Sequence, residues 1–177
     1  MGYEGHLMMV EDREHQRAEV ERAMEILRRA HADVGGDTIS AGGTGTYDLH
    51  SFTGITELQA GSYALMDTHY GKQGLPFRQA LFVVGTVISV RPDHAVADVG
   101  LKALGMDHGN PGMLGGDVWY CSDEHVTFSP HDGARVGDRV RIVPAHVDPT
   151  MAMHTTAWLV EGDDVLESCP IDLRGWD

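Results

Sequence analysis

Hydrophobic and polar positions change their period near residue 75. Before that point a long helical stretch sits between short extended runs. Leu7–Val10 is a brief apolar run and reads as the end of a strand. From Glu11 to His31 the pattern is helical, with Ala23, Ile26, Leu27 and Ala30 at i, i+3, i+4 and i+7. Glu11 and Asp12 lie in its first turn and Arg28 and Arg29 in its last, which complements the helix dipole. Gly35-Gly36 ends it. Thr38–Ala41 is a short strand candidate that opens into Gly42-Gly43-Thr44-Gly45-Thr46-Tyr47, and Ile55–Gln59 is another.

Beyond the loop Gly71–Pro76 the apolar residues crowd into short β-branched runs. Ala80–Val90 is too densely apolar for a one-sided surface strand and predicts a central one. Arg91-Pro92-Asp93 is a turn, and His94–Val99 alternates as a hairpin partner. Met106–Gly116 is rich in Gly, Pro and Asn and reads as a loop. Val118–Tyr120, Val126–Phe128, Arg139–Val143, Thr156–Val160 and Val165–Ser168 complete the strands. The expected fold class is therefore α/β plus all-β: βαβ material over residues 1–75 and a compact antiparallel β domain over residues 76–177.

Composition narrows the partners. The chain carries 13 basic and 27 acidic residues, a net charge of −14, and no basic stripe. A phosphate backbone would be repelled, so neither nucleic acid nor an anionic membrane surface is an expected partner. No apolar run approaches the roughly 18 residues that a membrane-crossing helix needs. The first residues lack the basic and long apolar regions of a signal peptide. Cys121 and Cys169 form no CxxC pair and are expected as reduced thiols in the cytoplasm.

Two stretches carry candidate chemistry. In Gly42–Thr46, glycines would let backbone N–H groups approach an anion and threonine hydroxyls would add donors. The loop has neither the Gly-Lys-Ser/Thr of a P-loop nor dinucleotide-fingerprint spacing, and a plain tight turn is the competing reading. The second stretch is Pro144–Thr150. If it is extended, His146 and Asp148 project to one side and converge on a metal ion. Imidazole plus carboxylate suits a hard or borderline ion, and two protein ligands leave room for water or substrate. An ordinary hydrogen-bonded histidine is the bland alternative. His15 and His31 on the helix, and His94, His108, His125 and His131 in turns or loops, are not expected to ligate.

Several segments, taken in order, resemble one family: Gly42–Tyr47, Ile55–Asp67, Asp98–Leu104, Val136–Val140, His146–Thr150 and Pro170–Gly175. This is the D-threonine aldolase and D-serine dehydratase-like family of fold-type III pyridoxal-phosphate enzymes, related in architecture to alanine racemase. The resemblance implies the C-terminal portion of a (β/α) barrel over residues 1–75, followed by the complete β domain. It implies pyridoxal phosphate held by Gly43, Thr44, Gly45 and Thr46, with Tyr3 facing the cofactor and His6 a candidate base. It implies a divalent metal, Mn or Zn, on His146 and Asp148. The activity implied is cleavage of small D-β-hydroxy amino acids to glycine and an aldehyde by a homodimer. Aspartate at position 148 resembles the aldolases, whereas cysteine there would resemble the zinc-dependent dehydratases. A D-serine dehydratase-like activity, or a non-catalytic remnant that binds metal or is merely structural, are the alternatives. Neither Lys72 nor Lys102 matches the family's Schiff-base lysine, so a truncated chain, inactive alone, is expected.

Overall fold

The computed structural model describes residues 1–131 and 133–172. They divide into two compact units, residues 1–66 with 70–78, and residues 67–69 with 79 onwards.

The first unit is built on helix α1 (Arg13–Val34). Asp12 caps it, its carboxylate accepting the N–H groups of Glu14 and His15, and Gly35 ends it at φ +78°. The buried face differs from the expected one. Gln16, Val20 and Met24 are buried, Ala23 and Leu27 are partly so, and Ile26 and Ala30 face outward. The cause is Gln16, whose amide donates to the carbonyls of Leu7 (2.7 Å) and Gly45 (3.1 Å) and so turns that face inward. Val20 and Met24 pack with Leu7, Ala41 and Leu49 in one apolar cluster. Residues 7–10 form no strand. Gly5–Leu7 is a 3₁₀ turn, and bonds such as Leu7 N–H to Glu4 O (2.8 Å) satisfy the backbone locally. Strands β1 (Ser40–Ala41) and β2 (Glu57–Leu58) pair in parallel.

The second unit is a nearly closed antiparallel sheet of six strands: β3 (Val83–Val90), β4 (Ala95–Ala97), β5 (Gly112–Met113), β6 (Asp117–Cys121), β7 (Val126–Ser129) and β8 (Arg139–Val143). Their order is β5-β8-β3-β4-β7-β6, so β3 is an inner strand. An isolated bridge joins Met113 of β5 to Gly116, the residue just before β6. Val87, Ala95, Ala97, Val126, Phe128 and Ile142 are essentially sealed from solvent between them. Burying Val87, Val126, Phe128 and Ile142 stabilises by roughly 1.5–3 kcal/mol each, which helps to fix the sheet. A hairpin of β9 (Thr156–Glu161) and β10 (Asp164–Pro170) forms its own two-stranded sheet.

Helix α2 (Val147–Ala152) occupies the segment expected to be extended. His146 is extended, at φ −145° and ψ 120°, and the chain turns helical immediately after it. The local sequence accounts for this. Asp148 and Pro149 fall in the first turn, where a carboxylate suits the dipole and proline lacks only an N–H that has no intrahelical partner. The carboxylate of buried Asp67 accepts the N–H of Val147 (3.2 Å), and Thr68 N–H donates to Pro144 O (3.0 Å). Thr150, also buried, donates its hydroxyl to His146 O (2.7 Å) and accepts the N–H of Gly105 (2.9 Å). The backbone on both sides of His146 is thereby pinned.

Candidate functional site

In the second unit, His146 stands between two carboxylates. Its Nδ1 is 2.6 Å from an oxygen of Asp107, and its Nε2 is 3.2 Å from an oxygen of Asp148. His146 and Asp148 do converge, but through a cap-to-first-turn geometry and not through an extended i, i+2 pair. Burial pushes the Asp107 carboxyl up, but the hydrogen bond from His146, a backbone hydrogen bond and the attraction of His146 and His108 together hold the group below its ordinary value. The His108 ring stacks on His146 with centroids 4.0 Å apart and an 11° interplanar angle, and His69 packs on the other neighbour, 4.2 Å from His108.

Asp107, His108 and His146 each offer a ligand atom, all within 4.8 Å of one another. Orientation argues against all three sharing one ion. A histidine nitrogen coordinates in the plane of its ring at about 2.0–2.1 Å. Two rings stacked face to face, nearly parallel and with centroids 4.0 Å apart, keep their in-plane lone pairs in separate planes and cannot both aim them at one point. The Nε2 of His146 and the carboxylate of Asp148 make the better pair. Asp107 then holds Nδ1–H, the usual partner of a metal-ligating imidazole. Sequence reasoning missed Asp107, His108 and His69. They lie in a glycine-rich loop and in a distant segment, and only folding brings them to His146.

In the first unit, Gly42–Thr46 are all buried. Their hydrogen bonds are specific. Thr46 Oγ1 donates to Glu4 (2.6 Å) and accepts the Gly43 N–H (3.3 Å), and Thr46 N–H donates to Gly43 O (3.2 Å). The Thr44 hydroxyl accepts the N–H of Tyr63 (3.0 Å). The Gly45 carbonyl accepts from Arg13 (3.2 Å) and Gln16 (3.1 Å). The N–H groups of Thr44 and Gly45 make no hydrogen bond among the described residues. Two buried donors on adjacent residues, with a hydroxyl beside them, match what an oxyanion requires. The glycines are also required by packing. A Cβ on Gly45 would lie 2.1 Å from the Met8 carbonyl, and one on Gly43 would lie 2.7 Å from the Met8 sulfur and 3.0 Å from the Tyr3 ring.

Tyr3 therefore sits against the loop. His6 is exposed, and its ring makes no hydrogen bond among the described residues. Lys102 pairs with Glu124 at 2.6 Å on the surface, and Lys72 is exposed in a 3₁₀ turn. Glu4 and His50, which bracket the loop from beneath, were not legible as site residues. Of the Pro170–Gly175 motif, residues 173–175 lie outside the described residues. No helix among the described residues is long and apolar enough to cross a membrane.

The fold as a whole is that of alanine racemase-like proteins, the end of an α/β barrel followed by the β domain. The alanine racemase of Bartonella henselae, at 15% identity and a TM-score of 0.52 over 80% of this chain and 43% of that one, shows this architecture. Residues 80–160 match the family model described as a putative serine dehydratase domain. The chain is 36% identical to a 3-hydroxy-D-aspartate aldolase of Paracoccus denitrificans (strain Pd 1222), over 98% of this chain and 50% of that protein. The solved D-threonine aldolase of Filomicrobium marinum superposes with a TM-score of 0.87 at 32% identity, over 97% of this chain and 52% of that one. The chain belongs to the D-threonine aldolase-like family. It spans about half the length of the relatives it matches.

Proposed function

We propose that this chain is the phosphate-holding and metal-holding part of a lyase of the D-threonine aldolase type, which cleaves small D-β-hydroxy amino acids to glycine and an aldehyde. The observation that carries the reading is the His146 ring set between Asp107 and Asp148. Nitrogen and carboxylate oxygen on a partly exposed centre suit Mn or Zn with open positions for water and substrate. When bound, a divalent ion there supplies Lewis-acid polarisation of the substrate's β-hydroxyl, and pyridoxal phosphate supplies the electron sink. The chain's own residues have narrower tasks. Asp107 keeps the proton on Nδ1, so Nε2 presents its lone pair beside Asp148. The N–H groups of Thr44 and Gly45 and the Thr44 hydroxyl bind the cofactor phosphate, with Tyr3 packed against the loop. His6, exposed at the end of the segment that carries Tyr3, is the proposed base for the substrate hydroxyl.

Residues 1–75 and 76–177 are proposed as the barrel and β-domain portions. A homodimer is supported by the apolar surface of the β9–β10 hairpin, where Trp158, Leu159, Val165 and Leu166 are all more than half exposed. Two free cysteines, Cys121 and Cys169, support a reducing compartment such as the cytoplasm. The test has two arms. Mn²⁺ and Zn²⁺ binding to the chain is measured by titration calorimetry with and without His146→Ala, and loss of binding in the variant is the expected result. Co-expression with the remaining half of a relative is then assayed on D-threonine. Glycine and acetaldehyde support the aldolase reading, which Asp148 favours over cysteine-based chemistry. An oxo acid and ammonia would support a dehydratase instead.

A further inference from the structure

A carboxylate lies buried directly against the loop that is read as holding an anion. The Glu4 side chain has no exposed surface. Its Oε1 accepts hydrogen bonds from Thr46 Oγ1 (2.6 Å) and His50 Nε2 (2.9 Å), and its Oε2 accepts the Gly42 N–H (3.3 Å). Only a carboxylate offers acceptors on both atoms, since an amide presents one oxygen and one donor. The other ring nitrogen, His50 Nδ1, is 3.2 Å from Thr53 Oγ1, whose own proton goes to the His50 carbonyl (3.0 Å). Glu4 and His50 thus form a buried, hydrogen-bonded pair directly beneath the loop.

The pair grips the loop at both ends, through Gly42 and Thr46. Its effect is to decide which donors remain. The Thr46 hydroxyl is committed to Glu4, and the Gly43 N–H is committed to Thr46. What is left on the loop is the pair of N–H groups on Thr44 and Gly45 and the proton of the Thr44 hydroxyl. We propose that Glu4 is the positioning residue of the phosphate loop: acting through Thr46, it holds Gly42–Thr46 in the one conformation that presents the Thr44 and Gly45 N–H groups to a phosphate monoester. The proposal rests on the anion-binding reading of the loop. No sequence spacing links residue 4 to residues 42–50, and the link exists only in the fold.

The test uses the full chain, with pyridoxal 5′-phosphate, pyridoxal and inorganic phosphate as probes, read by calorimetry and by ³¹P NMR. Wild type is expected to prefer pyridoxal 5′-phosphate to pyridoxal. Glu4→Gln, which cannot satisfy all three donors, should weaken the phosphate-dependent part about tenfold, the scale of one lost charge-assisted hydrogen bond. Thr46→Val should do the same, and the double variant should be little worse than either single one, because both changes break the same link. Mn²⁺ affinity at His146 should not move in any of them. Independent, multiplying losses, or an unchanged Glu4→Gln, would overturn the positioning role while leaving the loop reading intact. A wild type that binds pyridoxal and its phosphate equally would overturn the loop reading and the proposal with it. Should Glu4→Gln fail to fold, Thr46→Ser against Thr46→Val decides. Serine keeps the hydroxyl and should keep the affinity, and a valine variant as tight as wild type sinks the proposal.

Discussion

The Nδ1 of His146 lies 2.6 Å from a carboxylate oxygen of Asp107, 39 residues earlier in the chain. This contact sets which nitrogen of the ring is free. A ligating histidine whose other nitrogen is held by a carboxylate is oriented and more basic, and losing such a partner typically costs 10–100-fold in metal affinity. Asp107→Ala should therefore weaken Mn²⁺ or Zn²⁺ binding by about that factor, measured by calorimetry or by Mn²⁺ EPR. Asp148→Ala should weaken it further, because it removes a proposed ligand and not a ligand's support. His108→Ala should change it by no more than about threefold, since stacking costs are small beside a lost ligand. Abolition of binding by His108→Ala would transfer the ion to the Asp107–His108 side of the ring.

Thr150 tests how far the centre depends on its backbone. Its hydroxyl joins Gly105 N–H to the His146 carbonyl and is almost wholly buried. Thr150→Val keeps the shape and leaves two buried polar groups without that partner. The expected cost is about 2 kcal/mol or more in urea unfolding, with metal affinity falling in the same variant. Thr150→Ser should restore both. An unchanged metal affinity in the valine variant would show that Asp107 and Asp148 orient His146 without help from its backbone.

The strands of the second unit were legible because their apolar, β-branched runs are bounded by glycine and proline. Val83–Val90 is an inner strand of the sheet, as its density of apolar residues suggests, but it buries one face only: Gly85 and Val87 are sealed while Val84 and Ile88 on the other side stay exposed. The helical period of residues 11–31 was equally plain, yet its buried face was not, because a glutamine with two carbonyl partners outweighed Ile26. Helix α2 was hidden by its shortness. Six residues give no period to read, and only the Asp-Pro pair in its first turn signals it. His146 and Asp148 were visible as a triplet. Asp107 and Glu4 were not, since carboxylates that act through a distant partner leave no local pattern.

Gly45 offers a sharper test of the loop's packing than of its chemistry. A Cβ there would lie 2.1 Å from the Met8 carbonyl oxygen, a backbone atom that cannot swing aside. Gly45→Ala should cost about 3 kcal/mol, in the range of forced core clashes. Gly61, in the same unit, has nothing within 4 Å of its would-be Cβ. Gly61→Ala should lie within about 0.5 kcal/mol of wild type. Thermal or urea unfolding of the two variants side by side makes the comparison, and equal effects would count against the close approach of residue 8 to the loop.

The Glu4–His50 pair makes a pH prediction with a definite sign. Burial pushes the Glu4 carboxyl up, but the hydrogen bonds from His50 and Thr46, a backbone hydrogen bond and the attraction of His50 together hold it below its ordinary value of 4.5. Between the lowered folded value and the ordinary unfolded one, the unfolded chain binds more protons than the folded chain. Stability from this group therefore rises with pH through that window. It is fully present above pH 4.5 and is lost as the pH falls through the folded value. Other carboxylates titrate over the same range, so the informative quantity is a difference. The gap in unfolding free energy between wild type and Glu4→Gln should be largest at neutral pH and should narrow steadily on acidification below the ordinary glutamate range. Urea denaturation at a series of pH values reads it directly. A gap that stays constant down to the acid limit would mean that Glu4 is held by shape alone, and that its charge contributes nothing to the loop above it.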